Sequence, residues 1–246
     1  MKPMAIDLFC GLGGWTDGLL MEGYDVIGFD IEQHVYGEQR YPGLLAIQDV
    51  LTLHGSQFRN ADLIVASPPC QEYSYMAMPW SKAKAIAAEY RSGVRDVKQL
   101  TALFDACFRI QREACETSGR HIPLVVENVR GAIPWVGRSR WNFGSFHLWG
   151  DVPALMPPGR SIKVQSIEGR RTDKGNGARF TSRDCGIESG IKCGGDWFND
   201  KQPSISRLTS SKSPARKAAS AMIAKIPLPL SRHIAATFKP RERMSA

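Results

Sequence analysis

The chain has 246 residues, 43% of them hydrophobic, which is enough to bury one substantial core. It contains no run of about 18 apolar residues of the kind that spans a membrane. Its formal charge of +8 is concentrated late: residues 1–150 hold 14 basic against 16 acidic side chains, and residues 151–246 hold 18 against 8. A near-neutral first part and a basic second part favour a protein whose later segment meets phosphate groups, although ordinary solvated surface charge is the alternative.

Six cysteines are scattered through the chain without the dense spacing of a secreted disulfide framework, so reduced thiols are expected. Cys185 and Cys193 are not part of a CxxC pair, and we expect no metal site. No apolar signal segment precedes the first predicted strand. These features predict a cytoplasmic protein.

The first 150 residues alternate strand-like and helix-like segments. Four apolar strands are predicted, at 5–9, 24–29, 63–66 and 124–126. Helical patterns cover 16–22 and 97–113. Strands that alternate with helices predict an α/β fold with a mostly parallel, doubly wound, Rossmann-like sheet.

The pattern changes after Asp151. Residues 157–213 are rich in Gly, Ser, Arg and Lys and have no sustained period, which predicts a loop-rich region. Apolar residues then recur at helical spacing from 214 to 239, and Pro227 and Pro229 interrupt them. This predicts two C-terminal helices separated by a proline break.

A glycine-rich segment follows the first predicted strand. Gly11, Gly13 and Gly14 come directly before a helix, and their missing side chains let backbone N–H groups approach a ligand there. Asp30, about twenty residues later, is suited to accept hydrogen bonds from a ribose. The sequence therefore predicts a nucleotide-like cofactor, with a packing turn and a surface carboxylate as the alternatives.

Two neighbouring positions extend this predicted cofactor site. Ile31 would form an apolar wall for a purine, and Asp49, in Gln48-Asp49-Val50, could accept a hydrogen bond from an exocyclic amine.

Cys70 lies in the segment Ser67-Pro68-Pro69-Cys70-Gln71, just after a predicted strand. Glu127 and Asn128 follow another predicted strand. The carboxyl ends of parallel strands meet at one sheet edge, so we expect the thiol and the carboxylate to lie near the glycine loop. Cys70 is thus a candidate nucleophile. An inert thiol, and acid and amide groups that only cap the next element, are the alternatives.

Three segments in this order resemble the motifs of the DNA cytosine-C5 methyltransferase family: DLFCGLGG at 7–14, SPPCQ at 67–71 and VVENV at 125–129. The resemblance covers roughly residues 4 to 150. It implies a class I S-adenosylmethionine-dependent methyltransferase fold, with a catalytic cofactor-binding domain over 1–150, a reduced target-recognition region over 151–213 and C-terminal helices over 214–246 that return to the catalytic domain. It also implies cofactor contacts at Phe9, Gly11, Gly13, Gly14, Asp30, Ile31, Asp49, Val50 and Pro68.

The family's chemistry assigns further roles. Cys70 would add to C6 of a cytosine flipped out of the duplex, and Glu127, followed by Asn128, would hold its N3 and amino group. Arg138 and Arg140 match the arginines of the family's Gln-x-Arg-x-Arg segment, with Val136 in the glutamine position. Arg140 would contact cytosine O2.

Two more segments resemble parts of the family. Residues 71–95 resemble its mobile catalytic loop, with a solvated linker as the alternative. Residues 224–230 resemble the motif that closes the cofactor pocket, but they lack its usual Gly-Asn pair.

The resemblance implies methylation of cytosine C5 in double-stranded DNA. A small target-recognition region favours short or relaxed sequence specificity, or a companion recognition subunit. A tRNA cytosine-C5 methyltransferase and a catalytically silent DNA-binding regulator are the alternatives. A bacterial cell, or one infected by a phage that modifies its own DNA against restriction, would suit a compact enzyme of this type.

Overall fold

The computed structural model describes residues 2–71, 73, 80–156 and 214–240. Nine strands lie in these ranges: β1 Met4–Leu8, β2 Asp25–Asp30, β3 Val35–Tyr36, β4 Gln39–Arg40, β5 Leu44–Ile47, β6 Leu63–Ala66, β7 Leu124–Asn128, β8 Trp141–Phe143 and β9 Phe146–Gly150. Six α-helices accompany them in the same ranges: α1 Gly14–Met21, α2 Trp80–Arg91, α3 Val97–Ser118, α4 Ile133–Val136, α5 Pro214–Ala224 and α6 Leu228–Phe238. Short 3-10 turns occupy Val50–Thr52, Gly55–Phe58 and Arg130–Ala132.

Seven strands form one sheet in the order β5-β2-β1-β6-β7-β9-β8, and β3 and β4 form a small separate hairpin. Strands β5, β2, β1, β6 and β7 pair in parallel. Strand β9 runs antiparallel to β7 and to its other neighbour, β8. The predicted mostly parallel, doubly wound α/β sheet is confirmed.

Successive side chains of each strand point to opposite faces of the sheet, so the core has two layers. In β6, Ile64 and Ala66 pack with Phe104 and Ile110 of α3 on one face of the sheet. Leu63 and Val65 belong to the cluster on the other face, which contains residues of α1 and α6. A strand that is apolar on both faces is typical of a central position in a parallel sheet.

Helix α6 packs against α1. A Cβ at Gly18 of α1 would overlap Ser231 of α6, so the absent side chain lets the two helices approach closely. The Tyr24 hydroxyl donates to the Ala235 carbonyl at 3.0 Å, and Arg232 bonds Glu22 at 2.8 Å. Helix α6 is therefore packed against the first helix of the chain.

The secondary-structure predictions differ from the structure in several places. The strands predicted at 5–9 and 24–29 are each shifted by one residue, and the strand predicted at 124–126 continues to Asn128. The predicted proline break is confirmed, because Pro227 caps α6. The loop prediction for 71–95 is wrong over Trp80–Arg91, where α2 forms. Tyr90 of that helix is buried and stacks edge-on against Trp135, with ring centroids 5.6 Å apart.

Most of the region predicted at 151–213 lies outside the described residues, which stop at Met156 and resume at Pro214. Cys185 and Cys193 fall there.

Candidate active site

The functional candidates gather at one edge of the sheet. Register pairs Leu8 of β1 with Phe29 of β2 and with Ala66 of β6, and Ala66 in turn with Val126 of β7. All these strands end at the same edge, so the segments that follow them are neighbours. The glycine loop, residues 9–14, follows β1, and the Cys70 turn, residues 67–71, follows β6, while Asp30 and Glu127 lie at the ends of β2 and β7.

The glycine loop has a specific backbone conformation. Gly11 and Gly13 have φ angles of +51° and +74°, which L side chains rarely adopt. Phe9 has φ +58°, the only described residue other than glycine with a positive φ. The Gly11 N–H donates to Asp30 Oδ2 at 2.9 Å, which fastens the loop to the end of β2.

The loop is also closed in from the C-terminal part of the chain. A Cβ at Gly14 would overlap the backbone of Ile226, and Lys225 forms an ion pair with Asp17 of α1 at 2.7 Å. Residues of the segment 224–230, which we expected to close the cofactor pocket, thus lie against the start of α1.

Four predicted cofactor residues lie at or just after the ends of β2 and β5: Asp30, Ile31, Asp49 and Val50. Asp30 Oδ1 accepts from the Ile31 N–H at 2.8 Å, and the Ile31 side chain is 68% exposed. Asp49 accepts from the Leu51 N–H at 2.9 Å and caps the turn that begins at Val50. Val50 is fully buried in the core.

S-adenosylmethionine fits the groups that line this edge. A Cβ added at Gly11 would meet nothing within 4 Å, so there is open space over the loop. The Asp30 carboxylate and the exposed Ile31 side chain border the same loop and suit a ribose and a purine. The donor and acceptor set is that of a nucleoside ligand rather than of a metal ion.

A buried hydrogen-bond network beside the glycine loop was not predicted from the sequence. The Thr16 hydroxyl donates to Asp7 Oδ2 at 2.7 Å and lies 2.7 Å from the Tyr41 hydroxyl. Asp7 Oδ1 has no protein partner among the described residues. Burial raises the pKa of Asp7 to about 8, despite the Thr16 hydrogen bond that lowers it. Asp7 is therefore mostly protonated at neutral pH, which no local sequence pattern indicates.

The described cysteines differ in accessibility. Cys10 and Cys107 are buried, and burial raises the pKa of each thiol well above its ordinary value. Cys70 and Cys115 are partly exposed. Of these two, only Cys70 lies at the sheet edge that carries the glycine loop.

The Cys70 turn is attached to both neighbouring strands. The Ser67 N–H donates to the Leu8 carbonyl at 3.1 Å, and the Trp15 indole donates to Ser67 Oγ at 3.0 Å. The Asn128 side-chain amide donates to the carbonyl of buried Pro68 at 3.0 Å. Asn128 therefore joins the predicted nucleophile turn directly to the Glu-Asn-Val segment.

A second anchor of this turn also escaped the sequence interpretation. Tyr73 is buried, its N–H donates to the Cys70 carbonyl at 3.0 Å, and its hydroxyl donates to the Leu100 carbonyl of α3 at 2.7 Å. A Cβ at Gly131 would overlap the Tyr73 carbonyl. A tyrosine three residues after a candidate nucleophile, and a glycine after Glu-Asn-Val, were the available signals.

Glu127 is buried at the end of β7, opposite Leu148 of β9. It directly follows Val126, whose register partner Ala66 ends β6 just before the Cys70 turn. Glu127, Asn128 and Cys70 are thus brought to the ends of adjacent strands, as the sequence predicts.

Arg140 lies across β9 from Glu127, whose register partner on β9 is Leu148. It is exposed just before β8, its N–H donates to the Leu148 carbonyl at 2.8 Å, and its side chain lines a cavity with Arg138 and two arginines of α3. The lining of that cavity includes neither Cys70 nor Glu127.

The described part of the chain contains neither a membrane-spanning helix nor a cluster of metal ligands. No helix there combines the length and apolar character that a membrane crossing requires. No cluster of three or more His, Cys, Asp or Glu side chains there could hold a metal ion.

The parallel sheet with its antiparallel edge hairpin, and the glycine loop at its carboxyl edge, define a class I S-adenosylmethionine-dependent methyltransferase fold. The chain belongs to the C-5 cytosine-specific DNA methylase family, whose model matches residues 4–132.

Three relatives illustrate the similarity. The type II methyltransferase M.DdeI of Desulfomicrobium norvegicum is 36% identical over 78 residues, which cover 28% of this chain and 19% of that protein. A prophage-encoded E. coli protein described as a DNA modification methyltransferase has 25% identity and a TM-score of 0.36, over 54% of this chain and 33% of its own. The S. pombe Dnmt2 methyltransferase has 17% identity and a TM-score of 0.35, over 56% of this chain and 37% of its own. The chain thus spans between about a fifth and two fifths of the length of these relatives.

Proposed function

We propose that this protein transfers a methyl group from S-adenosylmethionine to C5 of cytosine in double-stranded DNA. One observation carries the proposal: the glycine loop bonded to Asp30 and the Cys70 turn bonded to Asn128 end adjacent strands at one sheet edge. A cofactor site and a candidate nucleophile are therefore neighbours, and membership of the cytosine C-5 methylase family supports the choice of reaction.

Nine residues in and around the glycine loop would hold the cofactor, which supplies a methyl group on a positively charged sulfur when it is bound. Gly11, Gly13 and Gly14 would present backbone to it, with Phe9 and Pro68 beside them. Asp30 would accept hydrogen bonds from the ribose hydroxyls through the remaining lone pairs of its two oxygens, each of which accepts one backbone N–H. Ile31 would cover one face of the purine, and Asp49, followed by Val50, would meet its polar edge.

Cys70 would solve an electronic problem, since C5 of cytosine is a poor nucleophile. Its thiolate would form a bond to C6, and the electron pair of the C5–C6 double bond would then be shared with C4 and N3. Glu127 would hold a proton at N3 and stabilise the charge that develops there. Once C5 carries the methyl group, loss of the C5 proton would re-form the double bond and expel the thiolate.

A base inside a duplex does not expose C6 to a side chain, so the target cytosine would leave the stack at a cost of a few kcal/mol. Arg140 on cytosine O2 remains part of this proposal. Basic residues of 151–213 would contact phosphates and position the duplex without reading its sequence. Short or relaxed specificity, or recognition by a companion subunit, would follow. We place this activity in the cytoplasm of a bacterial or phage-infected cell, in modification against restriction.

The test is transfer of labelled methyl groups to duplex DNA, with tRNA as a parallel acceptor and bisulfite mapping of any product. Cys70→Ala should abolish labelling while S-adenosylmethionine still binds. Cys115→Ala is the matched control, because it removes another partly exposed thiol outside this edge. Label on tRNA alone would move the assignment to RNA. Label on neither, with tight DNA binding, would indicate a silent DNA-binding protein.

A further inference from the structure

The segment that follows β5 is attached to helix α3. It begins with Asp49, which is proposed to meet the polar edge of the purine, and it continues into the 3-10 turn that starts at Gly55. The Gly55 N–H donates to Glu113 Oε2 of α3 at 2.7 Å, and a Cβ at Gly55 would overlap the Ile110 carbonyl. This segment, which we call the purine turn, therefore packs closely against α3.

Arg109 of α3 donates to two carbonyls of the purine turn. Its Nη1 donates to the Leu53 carbonyl at 2.8 Å, and its Nη2 donates to the Leu51 carbonyl at 3.2 Å. Glu113, one helical turn further on, accepts from Nη1 at 3.1 Å and keeps the guanidinium in this orientation. The planar fork of a guanidinium suits two acceptors at once, whereas a lysine ammonium is a compact point charge.

The bonds of Arg109 lead directly to Asp49. Leu51 accepts from Arg109 through its carbonyl, and its N–H donates to Asp49 Oδ1 at 2.9 Å. The Thr52 hydroxyl also donates to the Asp49 carbonyl at 2.7 Å. Asp49 is exposed, and within the described residues its Oδ2 accepts no hydrogen bond. This oxygen is therefore available to a ligand, at a position that Leu51 and Arg109 determine.

Arg109 is separate from the groups proposed to carry out the chemistry. It is not among the residues proposed to touch the cofactor or the cytosine. The Cys70 turn bonds α3 at another place, through the Tyr73 hydroxyl on the Leu100 carbonyl. Loss of the Arg109 bonds should therefore act on the purine and leave Cys70 in position.

We propose that Arg109 is a positioning residue that selects adenine as the base of the cofactor. By holding the Leu51 carbonyl, it fixes Asp49 where the carboxylate accepts from the exocyclic amine of adenine. Hypoxanthine has a carbonyl oxygen in place of that amine, and a fixed carboxylate repels it. An acceptor that is already ordered does not have to be ordered on binding. The inference rests on the proposed cofactor site.

The experiment measures cofactor binding rather than methyl transfer. S-adenosylhomocysteine and S-inosylhomocysteine, which carries an oxygen in place of the exocyclic amine, are titrated by calorimetry into the full chain. We expect the wild-type protein to bind the adenine compound about tenfold more tightly, the effect of one hydrogen bond to a charged group. The ratio of the two dissociation constants reports on Asp49, since both compounds share the ribose and the amino acid.

Two variants of Arg109 should lower this ratio to different extents. Arg109→Gln should bring it to about one to two, by weakening the adenine compound and leaving the hypoxanthine compound within about twofold of wild type. Arg109→Lys keeps the charge beside Glu113 but not the fork, and it should lower the ratio about threefold. Arg112→Gln is the matched control, because it removes an exposed arginine of the same helix and should leave the ratio unchanged. Thermal unfolding shows whether each variant is folded.

A double variant tests whether Arg109 acts through Asp49. Asp49→Ala removes the acceptor and should by itself abolish the preference for adenine. Adding Arg109→Gln to Asp49→Ala should then change neither dissociation constant further, because the two residues act through one chain of bonds.

The remaining outcomes separate this inference from the proposed function. An unchanged ratio in a folded Arg109→Gln protein overturns the inference, and so does an equal loss of affinity for both compounds. A wild-type protein that binds the two compounds equally also overturns it, and leaves the proposed methyl transfer standing. A wild-type protein that binds neither compound contradicts the cofactor site and, with it, the proposed function.

Discussion

The glycine loop and the Cys70 turn end adjacent strands, yet they are held by different means. The loop owes its shape to its own backbone, with Gly11 and Gly13 at positive φ above the buried Asp7–Thr16 bond. The Cys70 turn is held from outside, by Asn128 on the Pro68 carbonyl and by Tyr73 on the Leu100 carbonyl of α3. The loop is therefore sensitive to substitutions within it and at Asp30, whereas the turn is sensitive chiefly to substitutions in the elements that hold it.

Gly131→Ala should cause the largest loss of activity, and it should act only through the Cys70 turn. The new Cβ would overlap the Tyr73 carbonyl and displace the turn that carries Cys70. A shift of about 1 Å in a reacting group can cost about a hundredfold in rate, so we expect kcat to fall by about that factor. Cofactor affinity, measured by calorimetry, should stay within about threefold. Equal losses of kcat and cofactor affinity would contradict the separation of the two regions.

Asp7→Asn tests the buried network under the glycine loop. The folded-state pKa of about 8 lies above the ordinary 3.8, so the folded protein holds a proton that the unfolded chain releases. Stability therefore falls as pH rises from about 4 to about 8, by up to about 1.4 kcal/mol per pH unit.

Asparagine stays neutral and removes this dependence. Between pH 5 and pH 6.5 the wild-type protein should lose about 2 kcal/mol relative to Asp7→Asn in urea unfolding. Parallel stability curves for the two proteins would show that Asp7 is ionised in the folded state.

Asp30→Ala should act on the cofactor side alone. It removes the acceptor of the Gly11 N–H and the proposed ribose partner. We expect S-adenosylmethionine to bind about tenfold more weakly, because a hydrogen bond to a charged group contributes about 1.5 to 3 kcal/mol. Asp25→Ala, at the exposed opposite end of the same strand, is the control and should bind normally. Unchanged affinity in Asp30→Ala would remove Asp30 from the site.

Tyr73→Phe should have the smallest effect. It keeps the buried ring but leaves the Leu100 carbonyl without its hydroxyl donor, which costs about 1 kcal/mol. The unfolding midpoint should fall slightly and kcat about threefold, with cofactor affinity unchanged. A kcat equal to the wild-type value would mean that the hydroxyl does not position the turn.

Four of the five parallel strands were predictable because they are short apolar runs bounded by turns, whereas β5 was not predicted. The strand at 63–66 was placed correctly for this reason. Strands β8 and β9 were not predicted, since Trp141, Phe143 and Phe146 alternate with polar residues over only a few positions around Gly144. Helix α2 was missed because Tyr90 stacks on Trp135, which is distant in sequence.

In the candidate site, too, some features were predictable from the sequence and others were not. Glycines, acids and a cysteine after predicted strands gave the positions of Gly11, Asp30, Cys70 and Glu127 at one edge. The Tyr73–Leu100 bond joins residues 27 positions apart, and the raised pKa of Asp7 comes from burial. Such features arise only when the elements pack, so a single sequence does not show them.

Phe9 directly follows the last residue of β1 and has φ +58°. This conformation costs a bulky residue about 1 to 3 kcal/mol. Its half-buried ring packs against the core that fixes it there. Glycine would adopt the same backbone without strain. A variant selected only for heat resistance would nevertheless keep Phe9, because Phe9→Gly relieves this strain but loses the packing of the ring and adds backbone freedom to the unfolded chain.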